Sequence, residues 1–258
     1  MKIFNNKIGS CLFLSITTVY SNIYTMTHPK LIFKKDIEFD NDIGTYFLND
    51  IIDGFDFGQD RIISEHPVFA DWRELEEKEL AKKVQIYVKD YYAIHADEMA
   101  KSMKKMQILW DSIATDYFKA VEGIFGNLDF YTPTELTAIL SIFKVGVVGE
   151  DIKSFQIWYK TIKEPEEVLR HIAHEILHFY YYTYTQIHGY DAGEKHWELA
   201  EIFNVIILNL PQFKALIKKE ELGYAQHAQL IPKYRKIWNQ SDDINSYLEK
   251  TITKGGNF

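Results

Sequence analysis

Residues 164–184 read EPEEVLRHIAHEILHFYYYTY, and the fold is read outward from this stretch. Proline in a first helical turn sacrifices no hydrogen bond, because the N–H it lacks has no intrahelical partner there, and Glu166 and Glu167 suit the positive end of the helix dipole. A helix is therefore predicted to start at Pro165. Val168, Leu169, Ile172, Ile176, Leu177, Phe179 and Tyr180 spread around most of the wheel, so this helix is expected to be buried on nearly all sides. His171, His174 and His178 fall within an arc of roughly 60° at the helical period. Polar rings on a buried helix need a partner, and one partner shared by all three is the expectation.

Within the stretch, His174-Glu175-Ile176-Leu177-His178 is an H-E-x-x-H pattern. Side chains four apart lie one above the other, so the two imidazoles can close on one cation while Glu175 points at a water on it. That chemistry suits zinc, which in catalytic sites takes three protein ligands and keeps one position open. The third ligand must come from downstream, where His188, Asp191, Glu194, His196, Glu198 and Glu201 are available. Tyr181 and Tyr184 occupy the Gly and His places of the longer H-E-x-x-H-x-x-G-x-x-H pattern, so that pattern's third histidine is absent and the metzincin reading fails. Residues 194–209, EKHWELAEIFNVIILN, are predicted to form a second helix ended by Pro211. Trp197, Val205 and Leu208 frame Glu201 on that helix, whereas Glu198 sits above Glu194 nearer the solvent end. A carboxylate among apolar neighbours is costly unless it meets a cation, so Glu201 is favoured over Glu198. The expected site is one Zn2+ per chain on His174, His178 and Glu201, with Glu198 as the alternative third ligand.

H-E-x-x-H followed some twenty residues later by a Glu on a second helix resembles the gluzincin group of zinc metallopeptidases. It is also similar to small bacterial H-E-x-x-H proteins with a W-x-L-x-E-x-x-N-V ending, here Trp197, Leu199, Glu201, Asn204 and Val205. The resemblance covers residues 168–209. It implies a zincin-like core and peptide-bond hydrolysis, with His174, His178 and the second-helix Glu on zinc and Glu175 as general base on a zinc-bound water. Thermolysin-like enzymes carry an Asp four residues after the third ligand, where this chain has Ile202 after Glu198 and Val205 after Glu201. Support for the ligands must then come from elsewhere, with Asn204 and His171 as candidates. The G-A-M-E-N signature of one gluzincin family is missing, so an aminopeptidase has no support. For the oxyanion donor, His188, Tyr224 and His227 are candidates by residue type. Tyr180, Tyr181, Tyr182 and Tyr184 read as helix packing. The alternative function is a catalytically inactive zincin-fold binding or interaction protein.

The rest of the chain points to an α+β fold: a small sheet, the H-E-x-x-H helix and the third-ligand helix, with a mainly helical N-terminal part. Residues 1–25 form a signal-like or disordered extension. Lys2 and Lys7 precede a moderately apolar run diluted by Ser10, Ser15, Thr17 and Thr18 with no Ala-x-Ala site after it, so a cytoplasmic location is favoured over export, and a start at Met26 is a third reading. Residues 26–130 are assigned to the helical part and 131–258 to the zincin-like metallopeptidase core. The run 53–60 reads as a turn and lacks the spacing of a calcium loop. Residues 71–125 have helical periodicity for two or three helices, with Lys101, Lys104 and Lys105 on a solvated face, and His95, Asp97 and Glu98 at a solvated turn. Residues 136–143 read as a strand. Phe155, Ile157 and Tyr159 alternate with polar neighbours, which predicts an edge strand with one buried face, exposed for pairing with substrate.

The chain of 258 residues is 47% hydrophobic and 26% charged, as expected for a globular protein. Its net charge of −8 argues against an electrostatic grip on nucleic acid or anionic lipid. The peptide or protein substrate expected as partner is what the gluzincin resemblance implies. The single cysteine, Cys11, rules out an internal disulfide and a cysteine-based metal site. Beyond the N-terminal run no stretch is long and apolar enough to predict stable membrane insertion.

Overall fold

The computed structural model describes residues 28–49, 58–127, 132–147, 149 and 152–253; the extension 1–25 with Cys11, the start at Met26 and most of the 53–60 turn lie outside them. The chain enters through β1 (Lys30–Lys35), α1 (Ile37–Asn49) and α2 (Gln59–Glu65). After short 3-10 turns come three consecutive helices: α3 (Glu77–Ile94), α4 (Ala96–Asp111) and α5 (Ala114–Phe125). A reciprocal cap opens α3, where the Glu76 N–H donates to Glu79 Oε2 at 3.2 Å. Lys101, Lys104 and Lys105 are exposed on α4, and His95 pairs with Glu98 at 3.0 Å at the turn between α3 and α4.

Next come β2 (Glu135–Ser141) and β3 (Ser154–Trp158), which join β1 in a three-stranded parallel sheet of order β1-β2-β3. Lys30 pairs with Glu135 through to Lys35 with Leu140, and Thr137 with Ser154 through to Ser141 with Trp158. The fold is thus α+β and mostly helical. Its sheet straddles the boundary placed at 130/131, because its first strand comes from the N-terminal part. Parallel strands need cover on both faces, and the apolar run of β2 supplies that burial: Leu136, Ala138, Ile139 and Leu140 are all buried.

The rest of the chain is helical: α6 (Pro165–Ile187), α7 (His196–Leu208), α8 (Pro211–Ile217), α9 (Ile231–Asn239) and α10 (Ile244–Leu248). α6 packs on α7, α4, α5, α8 and β3. Its neighbour α7 is buried at every position from 199 to 208, as a helix apolar all round must be. At the opposite side α1 lies close to α3; a Cβ on Gly44 would meet Phe143 at 2.7 Å and Val84 at 2.9 Å, so only glycine fits. Asp40, fully buried on α1, ties the end of β2 by accepting from Tyr92 Oη at 2.8 Å and from the Ile142 N–H at 3.1 Å. No single helix among the described residues is long and apolar enough to cross a membrane.

Two expectations about β3 are corrected. Gln156 is as buried as its neighbours, and its amide nitrogen donates to Phe143 O at 2.5 Å, so the strand has no solvated face. Tyr159 already belongs to the 3-10 turn Tyr159–Lys163. β3 is a sheet edge, yet its outer hydrogen-bonding groups are taken: Gln156 N donates to Val147 O at 2.8 Å and Gly149 N to Ser154 O at 2.7 Å. His171 Nε2 donates to Gln156 O at 2.9 Å and closes the next position. A substrate strand cannot add there, because those donors and acceptors are spent.

Candidate metal centre

The centre forms where α6 and α7 cross. Pro165 sits in the first turn of α6 beside Glu166 and Glu167, as the capping argument requires. Nine residues on, His174 and His178 stand one turn apart and turn their Nε2 atoms toward each other at 3.0 Å. Glu201 reaches across from α7, its Oε2 3.2 Å from His174 Nε2 and its Oε1 3.3 Å from His178 Nε2. Asn204, one turn further along α7, donates to His174 O at 3.1 Å and pins the two helices together at this level.

The size of this triangle is informative. Zinc bonds of about 2.0–2.1 Å at the tetrahedral angle place two donor atoms roughly 3.3 Å apart. The two imidazole nitrogens here are 3.0 Å apart, and the Glu201 carboxylate meets each of them with a different oxygen, at 3.2 and 3.3 Å. Ligand type, spacing and burial therefore fit one small divalent cation, and His174, His178 and Glu201 are the only such group among the described residues. An orphaned atom agrees: Glu201 Oε2 lies within ion-pair distance of His174 Nε2 but receives no hydrogen bond.

The protein field points the same way. Burial pushes the His174 imidazolium down, but the carboxylates of Glu201 and Glu221, with the charge of Glu175, outweigh it and raise its pKa to about 10. Glu201 is opposed by burial and still held far below the usual carboxylate range by the two histidines. A site that traps a proton this firmly between carboxylates is one that attracts a cation.

His171 does not join the other two rings, which corrects the expectation of a shared partner. Its Nε2 is committed to Gln156 O, and it approaches Glu175 Oε1 only to 3.8 Å. Glu175 lies beside the centre on the wall of a cleft of ≈ 850 Å³ that also reaches His174, Glu201, Glu221 and Tyr224. Glu198, a turn earlier on α7, is part-buried and outside the cluster.

Of the oxyanion candidates, only Tyr224 lines the cleft. Burial, then the charges of Glu201 and Glu175, raise its phenol to about 12, so it stays a proton donor at neutral pH. His227 is buried behind it, its ring 5.4 Å from Trp197 and 5.7 Å from Tyr224. His188 caps the far end of α6, roughly 15 Å along the axis from His178 at 1.5 Å per residue. Tyr180, Tyr181 and Tyr184 are packing residues, and the part-buried Tyr182 stacks on His178 with ring centroids 5.6 Å apart.

Glu221 is the residue that the sequence reading missed. It follows α8 in irregular chain, where no periodicity marks it, and accepts from His174 Nδ1 at 3.3 Å and from Arg170 Nη1. Asn209, at the end of α7, grips both of its backbone groups, donating to Glu221 O at 2.7 Å and accepting from Glu221 N at 3.2 Å. Gly223 N then donates to Glu221 Oε1 at 3.1 Å. Compared with known protein families, curated proteins and solved structures, the chain matches none.

Proposed function

We propose that this protein is a zinc-dependent metallopeptidase with a gluzincin-type site on a zincin-like core. One observation carries the reading: two imidazole nitrogens and a carboxylate from two helices converge closely enough to share one cation, with Glu175 beside them on the adjoining cleft wall. His174, His178 and Glu201 would hold the zinc. When bound, it supplies a Lewis acid that polarises a carbonyl and acidifies water. Glu175 takes the proton of the attacking water and returns it to the leaving amine. Tyr224 donates its phenolic proton in a hydrogen bond to the carbonyl oxygen as charge develops there. Glu221 holds the His174 Nδ1 proton, which leaves the Nε2 lone pair facing the triangle.

A catalytically inactive binding protein is the second reading, and the closed outer edge of β3 favours it, because the strand pairing expected for substrate is blocked. Metal content of purified protein, together with cleavage of a mixed peptide library, separates the readings. The peptidase reading expects one zinc per chain, lost in His174→Ala. It also expects Glu175→Gln to keep the zinc and lose at least about a hundredfold in cleavage rate, in keeping with a general base. Full zinc with no cleavage by the unaltered protein would support the binder.

A further inference from the structure

The cleft beside Glu175 must also hold the groups that flank a reacting bond, and its lining is charged. Although the chain carries a net charge of −8, Arg61, Lys144, Lys160, Lys163, Arg170 and Lys219 gather along these walls. Three are offset by carboxylates. Arg170 binds Glu167 and Glu221, Lys219 lies 2.9 Å from Glu167 and 3.4 Å from Glu164, and Lys160 is 3.7 Å from Glu65. Arg61, Lys144 and Lys163 make no ion pair among the described residues.

Lys144 is instead placed by an aromatic ring. Its Nζ lies 4.9 Å from the Trp158 centroid, with Lys160 Nζ at 5.8 Å from the same ring. The indole is fixed by its own N–H, which donates to Ile142 O at 3.1 Å. A ring face attracts a cation without neutralising it, so Trp158 assembles like charges at the cleft wall and leaves them able to act on a ligand. In a cleft with low-dielectric walls such charges focus their field inward, onto whatever binds. These three face a cavity in which Glu164, Glu167, Glu201 and Glu221 are each paired with a histidine, arginine or lysine, while Glu175, near His171 at 3.8 Å, is the carboxylate left at the reacting end.

We infer that the cleft recognises a carboxylate on its peptide substrate, from an acidic side chain or a free C-terminus, through Arg61, Lys144 and Lys163. This rests on the metallopeptidase reading and adds the class of substrate to it. At Lys144 a docked carboxylate would meet a cation already held by the Trp158 ring, which saves the entropy of ordering it.

The test uses zinc-supplemented Glu175→Gln protein and four fluorescent peptides of equal length. Two carry internal Glu residues and two carry Gln instead, each pair made with a free and an amidated C-terminus. Fluorescence anisotropy should show an acidic peptide binding about tenfold tighter than the Gln peptide with an amidated end, the equivalent of about 1.4 kcal/mol. That preference should weaken with salt, shrink several-fold in Lys144→Gln and in Arg61→Gln, and return in Lys144→Arg. If the internal Glu carries the gain, the carboxylate is a side chain; if the free end carries it, the carboxylate is the C-terminus. Equal affinity for all four peptides, or a preference untouched by both charge removals, overturns the inference. Failure of the unaltered protein to cleave any of the four overturns the peptidase reading instead, and leaves the binding result to decide this one.

Discussion

The imidazole of His174 donates from Nδ1 to the Glu221 carboxylate across 3.3 Å, while its Nε2 faces His178 and Glu201. This pairing fixes the tilt of the ring and, once a cation displaces the Nε2 proton, its tautomer. The same carboxylate accepts from Arg170, which Glu167 also holds, with Arg170 Nη2 2.6 Å from Glu167 Oε1. A chain of charges thus runs from the rim of the cleft to the back of the His174 ring. Partners of this kind typically contribute ten- to a hundredfold to metal affinity. Glu221→Gln keeps the shape and removes the charge, so zinc affinity measured by chelator competition should fall by about that factor. An unchanged affinity would show that Glu221 does not orient the ring.

Gly223 holds the same residue through its backbone N–H. Its φ is 66°, and a Cβ there would meet Val205 Cγ2 on α7 at 2.6 Å. An alanine in this left-handed conformation costs about 1–2 kcal/mol before any clash is counted. Gly223→Ala should therefore lower urea stability by at least that amount and, by shifting the N–H that Glu221 accepts from, weaken zinc binding as well. Adding Val205→Ala removes the clash but not the backbone strain, so recovery should be partial. Full recovery would show that the contact alone matters.

Far from the centre, Asp40 sets a pH dependence of stability. Burial raises its pKa to about 6 from the ordinary 3.8, against the hydrogen bonds from Ser141, Ile142 and Tyr92. The folded state therefore holds this proton more tightly than the unfolded chain does. Asp40 contributes its full share of stability below pH 3.8, and that share is lost as pH rises through about 6. The loss is at most about 3 kcal/mol, at 1.36 kcal/mol per pH unit. Relative to Asp40→Asn, the unaltered protein should lose stability between pH 4 and pH 7 in urea titrations. A constant difference across that range would show that the carboxyl ionises as freely as in the unfolded chain.

The parts legible in the sequence are those set by local periodicity. The four-residue step from His174 to His178 and the position of Glu201 within an apolar helix both follow from one helix at a time. Glu221 was invisible because its role depends on Asn209 and Gly223 holding an irregular segment against α7. His171 was misread for a related reason: an arc on the wheel gives a direction, not what stands opposite, and opposite stands a β3 carbonyl. Strand alternation likewise marked 155–157, but whether that edge is free depends on the backbone of Val147 and Gly149 crossing it. The parallel partner β1 lies about a hundred residues before β2 in the chain, and no local pattern encodes such a pairing.

Metal addition gives a test that needs no substrate. A ligand bound only by the folded state stabilises it by about 4 kcal/mol when present at a thousandfold its dissociation constant. For a chain of this size each kcal/mol moves the midpoint by roughly 2–4 °C, so zinc in that excess over metal-free protein should raise it by roughly 8–16 °C. On the proposed site the stabilisation would come from His174, His178 and Glu201 acting together on α6 and α7, and removal of any one of them would leave two donors, too few to hold the cation. His178→Ala and Glu201→Gln should each lose most of the zinc-induced shift, while Glu198→Gln should keep it, because Glu198 lies outside the triangle. A shift that survives Glu201→Gln but not Glu198→Gln would move the third ligand to Glu198 and displace the geometry on which the function is argued.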